Sequence, residues 1–516
     1  MLAEKNTSKA LWIRTILIFG AFFIFVQEGL PQCNFSENCR KAYSEIFALR
    51  FGEARSLIAA ERQSDPHNLV PVYLDNYMDF LRLFIGEEQA LFEKLKPGRG
   101  MRIRQFEQGL NDSPYYAFLL GEIYLQWAVV RLKFGEYTGA ALDMRRAQAL
   151  FSSNKTRYPS FLVNRMGLGV LQVLVSLVPD NYKWMTGVIG LEGSLEQGMN
   201  EIRLVAEYDG GDRITGMYRP QATFFMAFLG VNLQMERKGA IRLLERFREL
   251  EPGDQTWSSP LMIYVRAVVM MKNGMNDQAL AALQERKSPH TGFPFLYLDY
   301  LEGTARLNKL DTGAREYFRC YIRDFRGMNY LRAAYQRLAW ISLLEGDTAG
   351  YRELMTMASV GGALLVEEDR QAKNDAGSGL IPSPLLLRAR LLFDGGYYDL
   401  TMKELLNNPL KSSVKTKRDL VEYTYRLGRI CQETGKDTRA LEYFRLTVER
   451  GRSEPCYFAS NAAYQAGLLY EKAGAYARAD SAYRLCLSIK PSEYRMSIHQ
   501  KARVALERIR PFQPKT

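Results

Sequence analysis

Residues 461–491 constrain the fold of this chain more than any other segment. Their small and aromatic side chains recur at the spacing of two helices joined by a tight turn, and a proline follows the second helix. Gly467 and Ala479 are small enough for the two helices to approach closely, and Tyr483 is placed to fill the space between them. The segment therefore predicts a helical hairpin whose second helix ends before Pro491.

This hairpin resembles a tetratricopeptide repeat, in which the first helix carries L-G-x2-Y and the second carries A-x3-F followed by a proline. The same pattern occurs earlier at Gly428, Ala440 and Phe444, and weaker copies lie further upstream. The resemblance implies an all-α, tetratricopeptide-like α-solenoid, a fold that binds partners through its surface. The predicted structural repeat positions are Gly121, Tyr124, Ala314, Phe318, Gly428, Ala440, Phe444, Gly467, Tyr470, Ala479, Tyr483 and Pro491.

The N-terminal half carries a stretched version of the pattern. Gly121 and Tyr124 open a first helix, but Ala140 of the second helix arrives about two helical turns late. We therefore expect longer, irregular helices in this half and regular repeats in the C-terminal half. The predicted divisions are an irregular helical domain at 33–255, degenerate repeats at 256–368, a flexible linker at 369–384, C-terminal repeats at 385–510 and a tail at 511–516.

Residues 115–345 show a second, more specific resemblance. A small-residue helix, the turn Ser176-Leu177-Val178-Pro179 and a glycine-rich restart at Gly187, Gly190 and Gly193 occur in this order. The stretch resembles a eukaryotic family of tetratricopeptide proteins implicated in inclusion-body clearance, some of them at the mitochondrial outer membrane. The resemblance implies a shared fold more than a shared function.

Residues 1–32 are predicted to be a targeting segment. Basic residues precede an apolar run at 15–26, which is too short to span a bilayer but suits the core of a secretory signal. We expect a cleaved signal and export to the periplasm or cell envelope. An uncleaved membrane anchor and a lipoprotein signal at Cys33 are the alternatives.

The cysteines predict one candidate disulfide. Cys33 and Cys39 can meet only if an extended segment leads into a helix capped by Ser36, because six residues of continuous helix would separate them by about 9 Å. Cys431 and Cys486 fall at packing positions of the repeat and are predicted to be buried free thiols.

Charge and composition exclude several kinds of chemistry. The net charge is +12, with basic residues concentrated at 94–104 and near the C-terminus, and a solvated basic surface is the default interpretation. No nucleic-acid recognition module occurs, so nucleic acid is not a predicted partner. The three histidines are isolated, so no metal, cofactor, catalytic residue or small-molecule substrate is predicted.

The predicted function is therefore binding. By alignment to Gly428 and Gly467, one face of the first helices is predicted to contact a protein or peptide through Glu422, Tyr425, Arg429, Gln432, Asn461, Tyr464, Leu468 and Glu471. Two function classes stay open. One is a non-enzymatic scaffold in the cell envelope, and the other is a membrane-anchored adaptor whose basic patches contact anionic lipid.

Overall fold

The computed structural model describes residues 32–109, 111–178, 193–232, 237–251, 253, 255–286, 292–408 and 416–512. Apart from Gln32, the expected signal or anchor at 1–32 lies outside these residues, as do Pro179, Gly187 and Gly190. Among the described residues the secondary structure is helical, and the β-type pairing recorded there is an isolated bridge between Gln32 and Asn68. The all-α prediction is confirmed.

The described chain divides into two compact units. Unit 1 comprises the chain up to Phe84 and residues Ala90–Ala222, and unit 2 comprises Ile85–Gln89 and the chain from Thr223 onward. The helices that begin in unit 1 are α1 Glu37–Phe47, α2 Phe51–Ser64, α3 Val70–Gly86, α5 Pro114–Lys133, α6 Tyr137–Arg157, α7 Val163–Ser176, α8 Leu195–Ala206 and α9 Arg213–Asn232. Helix α4, Gln89–Glu107, begins at the last residue of the short stretch of unit 2 and continues in unit 1.

Unit 2 holds the remaining helices. They are α10 Arg237–Leu250, α11 Pro260–Lys272, α12 Asn276–Gln284, α13 Tyr297–Asn308, α14 Ala314–Asp324, α15 Leu331–Leu344, α16 Thr348–Val360, α17 Glu367–Ser378, α18 Pro384–Asp394, α19 Tyr398–Asn407, α20 Lys417–Glu433, α21 Asp437–Gly451, α22 Phe458–Lys472, α23 Tyr476–Ser488 and α24 Arg495–Ile509. Short 3-10 turns occupy Gln255–Ser258 and Arg510–Phe512.

Most helices pack side by side with their neighbour in the chain. Pairs of this kind are α1–α2, α5–α6 and α7–α8 in unit 1, and α11–α12, α13–α14, α15–α16, α18–α19, α20–α21 and α22–α23 in unit 2. We call the first helix of a pair helix A and the second helix B. Within unit 2, successive pairs also contact each other, as α21 contacts α22, which is the arrangement of a helical repeat.

The turn between helix A and helix B sets the register of the repeats. In eight pairs a residue with a left-handed backbone, usually glycine, lies in this turn; Gly435 (φ 73°) and Gly474 (φ 72°) are examples. Seven positions earlier each helix A carries a buried alanine or glycine. These small residues are Ala42, Ala128, Ala267, Gly303, Ala339, Ala389, Gly428 and Gly467.

The small residues let helix B press an aromatic ring against helix A. A Cβ on Gly428 would lie 2.7 Å from Cδ1 of Phe444, and one on Gly467 would overlap the ring of Tyr483. Ala440, Ala479, Ala314 and Phe318 are buried at the corresponding helix B positions, Tyr470 packs half-buried beside its repeat, and Pro491 follows the end of α23. The small residues and the rings opposite them lie at the close contact between helix A and helix B of each pair.

The stretched repeat is confirmed in unit 1. Helices α5 and α6 have 20 and 21 residues, against 15 and 13 for α22 and α23. Two turns before Ala128, Gly121 provides a second close approach, where an added Cβ would lie 2.6 Å from the ring of Phe151. Tyr124 is buried, and its hydroxyl accepts a hydrogen bond from Arg146 (3.0 Å).

Two expectations are corrected. Most of the expected linker at 369–384 belongs to helix α17, which packs against α15 and α16. The carboxylate of Asp369 is buried there and accepts hydrogen bonds from the backbone N–H groups of Tyr330 (2.6 Å) and Ala333 (2.9 Å), at the start of α15. Sequence composition alone could not show this long-range capping.

The expected Cys33–Cys39 disulfide is wrong, because both cysteines are free. Ser36 does cap helix α1, and its Oγ accepts a hydrogen bond from the N–H of Cys39 (3.2 Å). Cys39 lies in the helix and is buried, so its thiol belongs to the core instead of to a crosslink. Cys431 and Cys486 are buried free thiols, as predicted.

Candidate functional site

The predicted partner-binding residues lie on helices α20 and α22, but they do not all face outward. Tyr425 is in the core with 5% of its surface exposed, and its hydroxyl accepts a hydrogen bond from Nδ2 of Asn461 (2.7 Å). The part of the prediction that needs an accessible Tyr425 ring is therefore wrong. The ring packs against Phe444 and Phe458 and stabilises the contact between neighbouring repeats.

Arg429, Gln432 and Asn461 do come together, in a polar network between α20 and α22. Arg429 donates to the Tyr425 hydroxyl (3.4 Å), and Nε2 of Gln432 donates to Oε1 of Gln465 (3.0 Å). Gln465 in turn approaches Oδ1 of Asn461 at 3.5 Å. Nε of Arg429 and Oε1 of Gln432 are buried and have no hydrogen-bond partner within the described protein. We call Gln432 and Gln465 the amide pair.

The remaining predicted residues have structural contacts. Glu422 pairs with Arg426 on the same helix. Glu471 accepts hydrogen bonds from Tyr483 (2.6 Å) and from Nε of Arg508 (2.6 Å), and Arg508 holds the pKa of this carboxyl below its ordinary value. Glu471 thus joins α22 to α23 and α24.

Tyr464 and Leu468 also pack toward the C-terminal helices. The ring of Tyr464 lies 5.8 Å from that of Tyr483, and Leu468 contacts the same cluster of buried side chains on α23 and α24. Tyr464 was predicted to be available for a partner because helix pairing did not require it. The structure shows that it packs against α23 of its own pair and against α24.

The structure adds residues on α15 and α18 that the sequence did not single out. The guanidinium carbons of Arg337 and Arg390 both lie over the ring of Trp340, at 4.0 and 4.8 Å from its centroid. Trp340 is only 4% exposed beneath them, whereas 29% of the Arg390 side chain is exposed. A cationic surface therefore covers a buried aromatic ring.

These residues continue into the predicted face. Phe393 is one turn after Arg390 on α18, and the guanidinium of Arg429 lies 5.2 Å from the Phe393 ring centroid. Side-chain contacts thus run across the A helices α15, α18, α20 and α22. We call this set the Arg–aromatic strip, and it consists of Arg337, Trp340, Arg390, Phe393, Arg429, Tyr425 and Asn461.

One acidic residue of α17 lies near the strip. Asp375 accepts hydrogen bonds from the amide groups of Gln336 (2.7 Å) and Gln371 (3.2 Å). Burial raises the pKa of the Asp375 carboxyl, and the positive charge of Arg390 acts in the opposite direction. The α17 segment therefore brings a resident carboxylate close to the cationic part of the strip.

A sequence signal for the missed arginine does exist. Arg390 precedes the left-handed Gly396 by the same six positions that separate Arg429 from Gly435, so the two arginines are equivalent in adjacent repeats. The L-G-x2-Y pattern does not reveal this match, because α18 carries Ala389 where that pattern requires glycine. The left-handed turn glycine is the better anchor for alignment.

The basic run at 94–104 is different in character from the strip. Three of its cations on α4 form ion pairs with carboxylates elsewhere in unit 1: Lys96 with Glu136, Arg99 with Asp143 and Arg102 with Asp79. Three cations of this basic run are therefore paired with carboxylates inside unit 1.

The described part of the chain holds neither a metal cluster nor a membrane-spanning helix. Within it, no group of three or more His, Cys, Asp or Glu side chains is placed to hold a metal ion. None of the helices described is both long enough and apolar enough to cross a membrane.

The paired helices, the small residue opposite an aromatic ring and the left-handed turn define a helical-repeat protein of the tetratricopeptide type. No family model and no curated protein matches the chain.

Solved structures with similarity to the chain include a monomeric mutant of IFIT1 with Gppp-AAAA (TM-score 0.33, 10% identity, 89% of this chain and 97% of that chain). The human IFIT1 dimer with PPP-AAAA gives a TM-score of 0.31 at 11% identity, over 89% of this chain and 96% of that chain. The TPR domain of P58(IPK) gives 0.20 at 11% identity, over 75% and 98%. Similarity at this level carries no argument about function, and the class rests on the packing of the paired helices.

Proposed function

We propose that this chain is a non-enzymatic scaffold that binds a segment of another protein along the Arg–aromatic strip and the amide pair, in the cell envelope after export. The observation that carries the proposal is the continuity of polar groups across α15, α18, α20 and α22. Directional hydrogen-bonding groups supported by a rigid helical stack concentrate binding energy, because little entropy is lost when they engage a ligand.

The amide pair supports binding of an extended backbone. A side-chain amide offers both a donor and an acceptor, which matches the N–H and C=O of a peptide unit. Oε1 of Gln432 has no partner within the described residues and is oriented by its neighbour Gln465. Gln432 and Gln465 are themselves partly exposed, so a peptide backbone can reach their amide groups.

Affinity purification from the source cells tests the proposal. Gln432→Ala combined with Gln465→Ala should reduce capture of the bound partner at least about fivefold while the melting temperature stays within a few degrees, since only partly exposed polar groups are removed. Gln500→Ala, an exposed amide on α24, is the matched control. Equal capture by the double variant and the wild type would refute the proposal.

Export is a separate part of the proposal and has its own measurement. If the predicted signal is cleaved, mass spectrometry of the purified protein will find a mature N-terminus beyond residue 26. A full-length protein recovered with membranes would favour the alternative function, an anchored adaptor that contacts anionic lipid. Three of the five cations at 94–104 pair within unit 1, which argues against that run as the lipid-binding patch. Kinship with the inclusion-body-clearance family is likewise a proposal, supported by the motif at 176–179.

A further inference from the structure

The arginines at the α15–α18 end of the strip differ from those enclosed arginines of unit 2 that pair closely with carboxylates. Arg266 forms two 2.6 Å hydrogen bonds with Glu285, and Arg286 pairs with Asp299 and Glu302. Within the described residues, by contrast, Arg337 has no carboxylate at ion-pair distance, and Arg390 has a single one, Asp394, at 3.7 Å. Arg337 is therefore held in place without a carboxylate partner, and Arg390 is held with one partner near the limit of ion-pair distance.

Trp340 explains how the two cations are held. A guanidinium that lies over an aromatic ring gains cation–π attraction, while its N–H groups at the edge remain able to donate. Arg337 uses one of these groups to donate to Oε1 of Gln336 (2.8 Å). Both positive charges lie close to one ring, at 4.0 and 4.8 Å from its centroid, so an anion near this ring would be attracted by both.

The neighbouring Asp375 does not fill this role. Its oxygen accepts hydrogen bonds from the amides of Gln336 and Gln371, and it forms no ion pair within 4 Å with a cation in the described structure. It lies close enough to Arg390 for their charges to interact. A second carboxylate arriving at the arginines would therefore be attracted by them and partly repelled by Asp375.

We propose that Arg337 and Arg390 bind a carboxylate side chain of an acidic, extended segment of the partner protein. The inference rests on the proposed function and adds the chemistry of the ligand. Guanidinium and carboxylate form charge-assisted, bidentate hydrogen bonds, which are strong where both groups are partly shielded from water. Further along the strip, the amide pair binds the backbone of the same segment.

The details of the strip favour an acidic peptide over single-stranded nucleic acid. Nucleic-acid bases would need open aromatic faces for stacking, but Trp340 and Tyr425 are only 4% and 5% exposed. Acidic side chains also accompany the arginines, namely Asp375, Asp394 and Glu433. A nucleic-acid strand carries a negative charge at every nucleotide, so these acidic side chains would repel it. They would repel a peptide less, because its carboxylates are separated by uncharged residues.

Fluorescence anisotropy with the full-length chain tests the inference. The probe is a labelled peptide of alternating Glu and Ala, compared with a Gln–Ala peptide, a phosphoserine–Ala peptide and a single-stranded oligoadenylate. We expect the Glu–Ala peptide to bind and the Gln–Ala peptide to bind at least about tenfold more weakly, because the charge-assisted hydrogen bonds are lost.

Three variants make the test specific to this site. Arg337→Gln with Arg390→Gln should weaken binding of the Glu–Ala peptide at least about tenfold. Arg445→Gln with Arg484→Gln removes the same charge from highly exposed positions and should change binding less than about twofold, because screened surface charges contribute little. Asp375→Asn should strengthen binding about twofold to fivefold, since it removes the repelling charge and retains the shape.

The outcomes decide between the alternatives. Equal loss of binding in the strip variant and the exposed control would show non-specific attraction and overturn the inference. Preferential binding of the phosphoserine peptide or the oligoadenylate, with the same dependence on Arg337 and Arg390, would assign the site to phosphate and also overturn it. If the double Gln variant unfolds, Arg337→Lys with Arg390→Lys keeps the charge but removes the bidentate geometry, and binding unchanged in that variant would refute the proposed contact.

The proposed function and the proposed acidic ligand are refuted by different results. Partner capture that needs the amide pair, together with Glu–Ala binding that ignores the arginines, would leave the scaffold function standing and refute the acidic ligand. Capture that is unaffected by the amide pair would refute the scaffold site itself.

Discussion

Replacing Gly467 by alanine should destabilise the C-terminal repeats, although alanine normally favours a helix. The added Cβ would overlap the ring of Tyr483, where ordinary contacts begin near 3.4 Å, so the ring would have to move by about 1 Å. Tyr483 cannot move freely, because its hydroxyl donates to Glu471, which is itself bound by Arg508. We expect a net loss of about 1–3 kcal/mol in the free energy of unfolding, after the helix-propensity gain of about 1 kcal/mol.

Gly377→Ala provides the matched control in the same unit. Gly377 lies within helix α17, and a Cβ there would meet no atom within 4 Å. This variant should be neutral or should gain up to about 1 kcal/mol, because the strain is absent and the propensity gain remains.

Denaturant-dependent hydrogen exchange, read by mass spectrometry on peptides from α22 and α23, measures the local free energy of unfolding in the full chain. Adding Tyr483→Leu completes a double-mutant cycle, in which the cost of Gly467→Ala should shrink once the ring is gone. If Gly467→Ala is as stable as the Gly377→Ala control, or if Tyr483→Leu does not change its cost, the close approach of α22 and α23 is wrong.

Two further predictions concern buried carboxyl groups. Burial raises the pKa of Glu122 from an ordinary 4.5 to about 8, so wild type should lose stability relative to Glu122→Gln as pH rises from 4.5 to 8, because the unfolded state ionises first. The difference at pH 8 should be roughly 4 kcal/mol in the same exchange assay on α5 peptides, and a difference independent of pH would contradict it. Asp369→Ala should cost about 1–3 kcal/mol and speed exchange in α15 and α17, because two backbone N–H groups lose their acceptor; unchanged exchange there would contradict the cap.

The sequence predicts the fold well wherever the repeat depends on residues close together in the chain. Gly428, Ala440 and Phe444 recur at fixed spacing because one helix pair must satisfy its own close packing. The same local logic identified the two-turn extension around Gly121. Helix α17 was not predicted, and a linker was expected in its place, because few of its residues are apolar and buried. Its attachment depends on Asp369 capping a helix 36 positions earlier, at Ala333.

The candidate site was predicted only in part, for a related reason. Alignment to Gly428 placed Arg429, Gln432 and Asn461 on one side of the repeats, and the structure brings these three into one network. The alignment could not distinguish Tyr425, which lies in the core, from its more exposed neighbours, because buried and exposed positions both recur with the helix period. Nor could it show that Trp340 and Arg390 meet, because they belong to helices separated by α16 and α17.

The distribution of charge in the fold explains why density of basic residues in a sequence is a poor guide to a binding surface. The run at 94–104 is one of the dense basic stretches of the chain, yet Lys96, Arg99 and Arg102 are each matched to a carboxylate in unit 1. Arg337 and Arg390 are far apart in the sequence and share one aromatic ring; among the described residues Arg337 has no carboxylate at ion-pair distance, and Arg390 has Asp394 at 3.7 Å. A cation that the fold positions but does not neutralise retains most of its interaction energy for a ligand, whereas a paired cation must first give up its partner. The binding surface is therefore expected where the fold positions cations that are unpaired or only weakly paired, which in unit 2 is the end of the strip formed by α15 and α18.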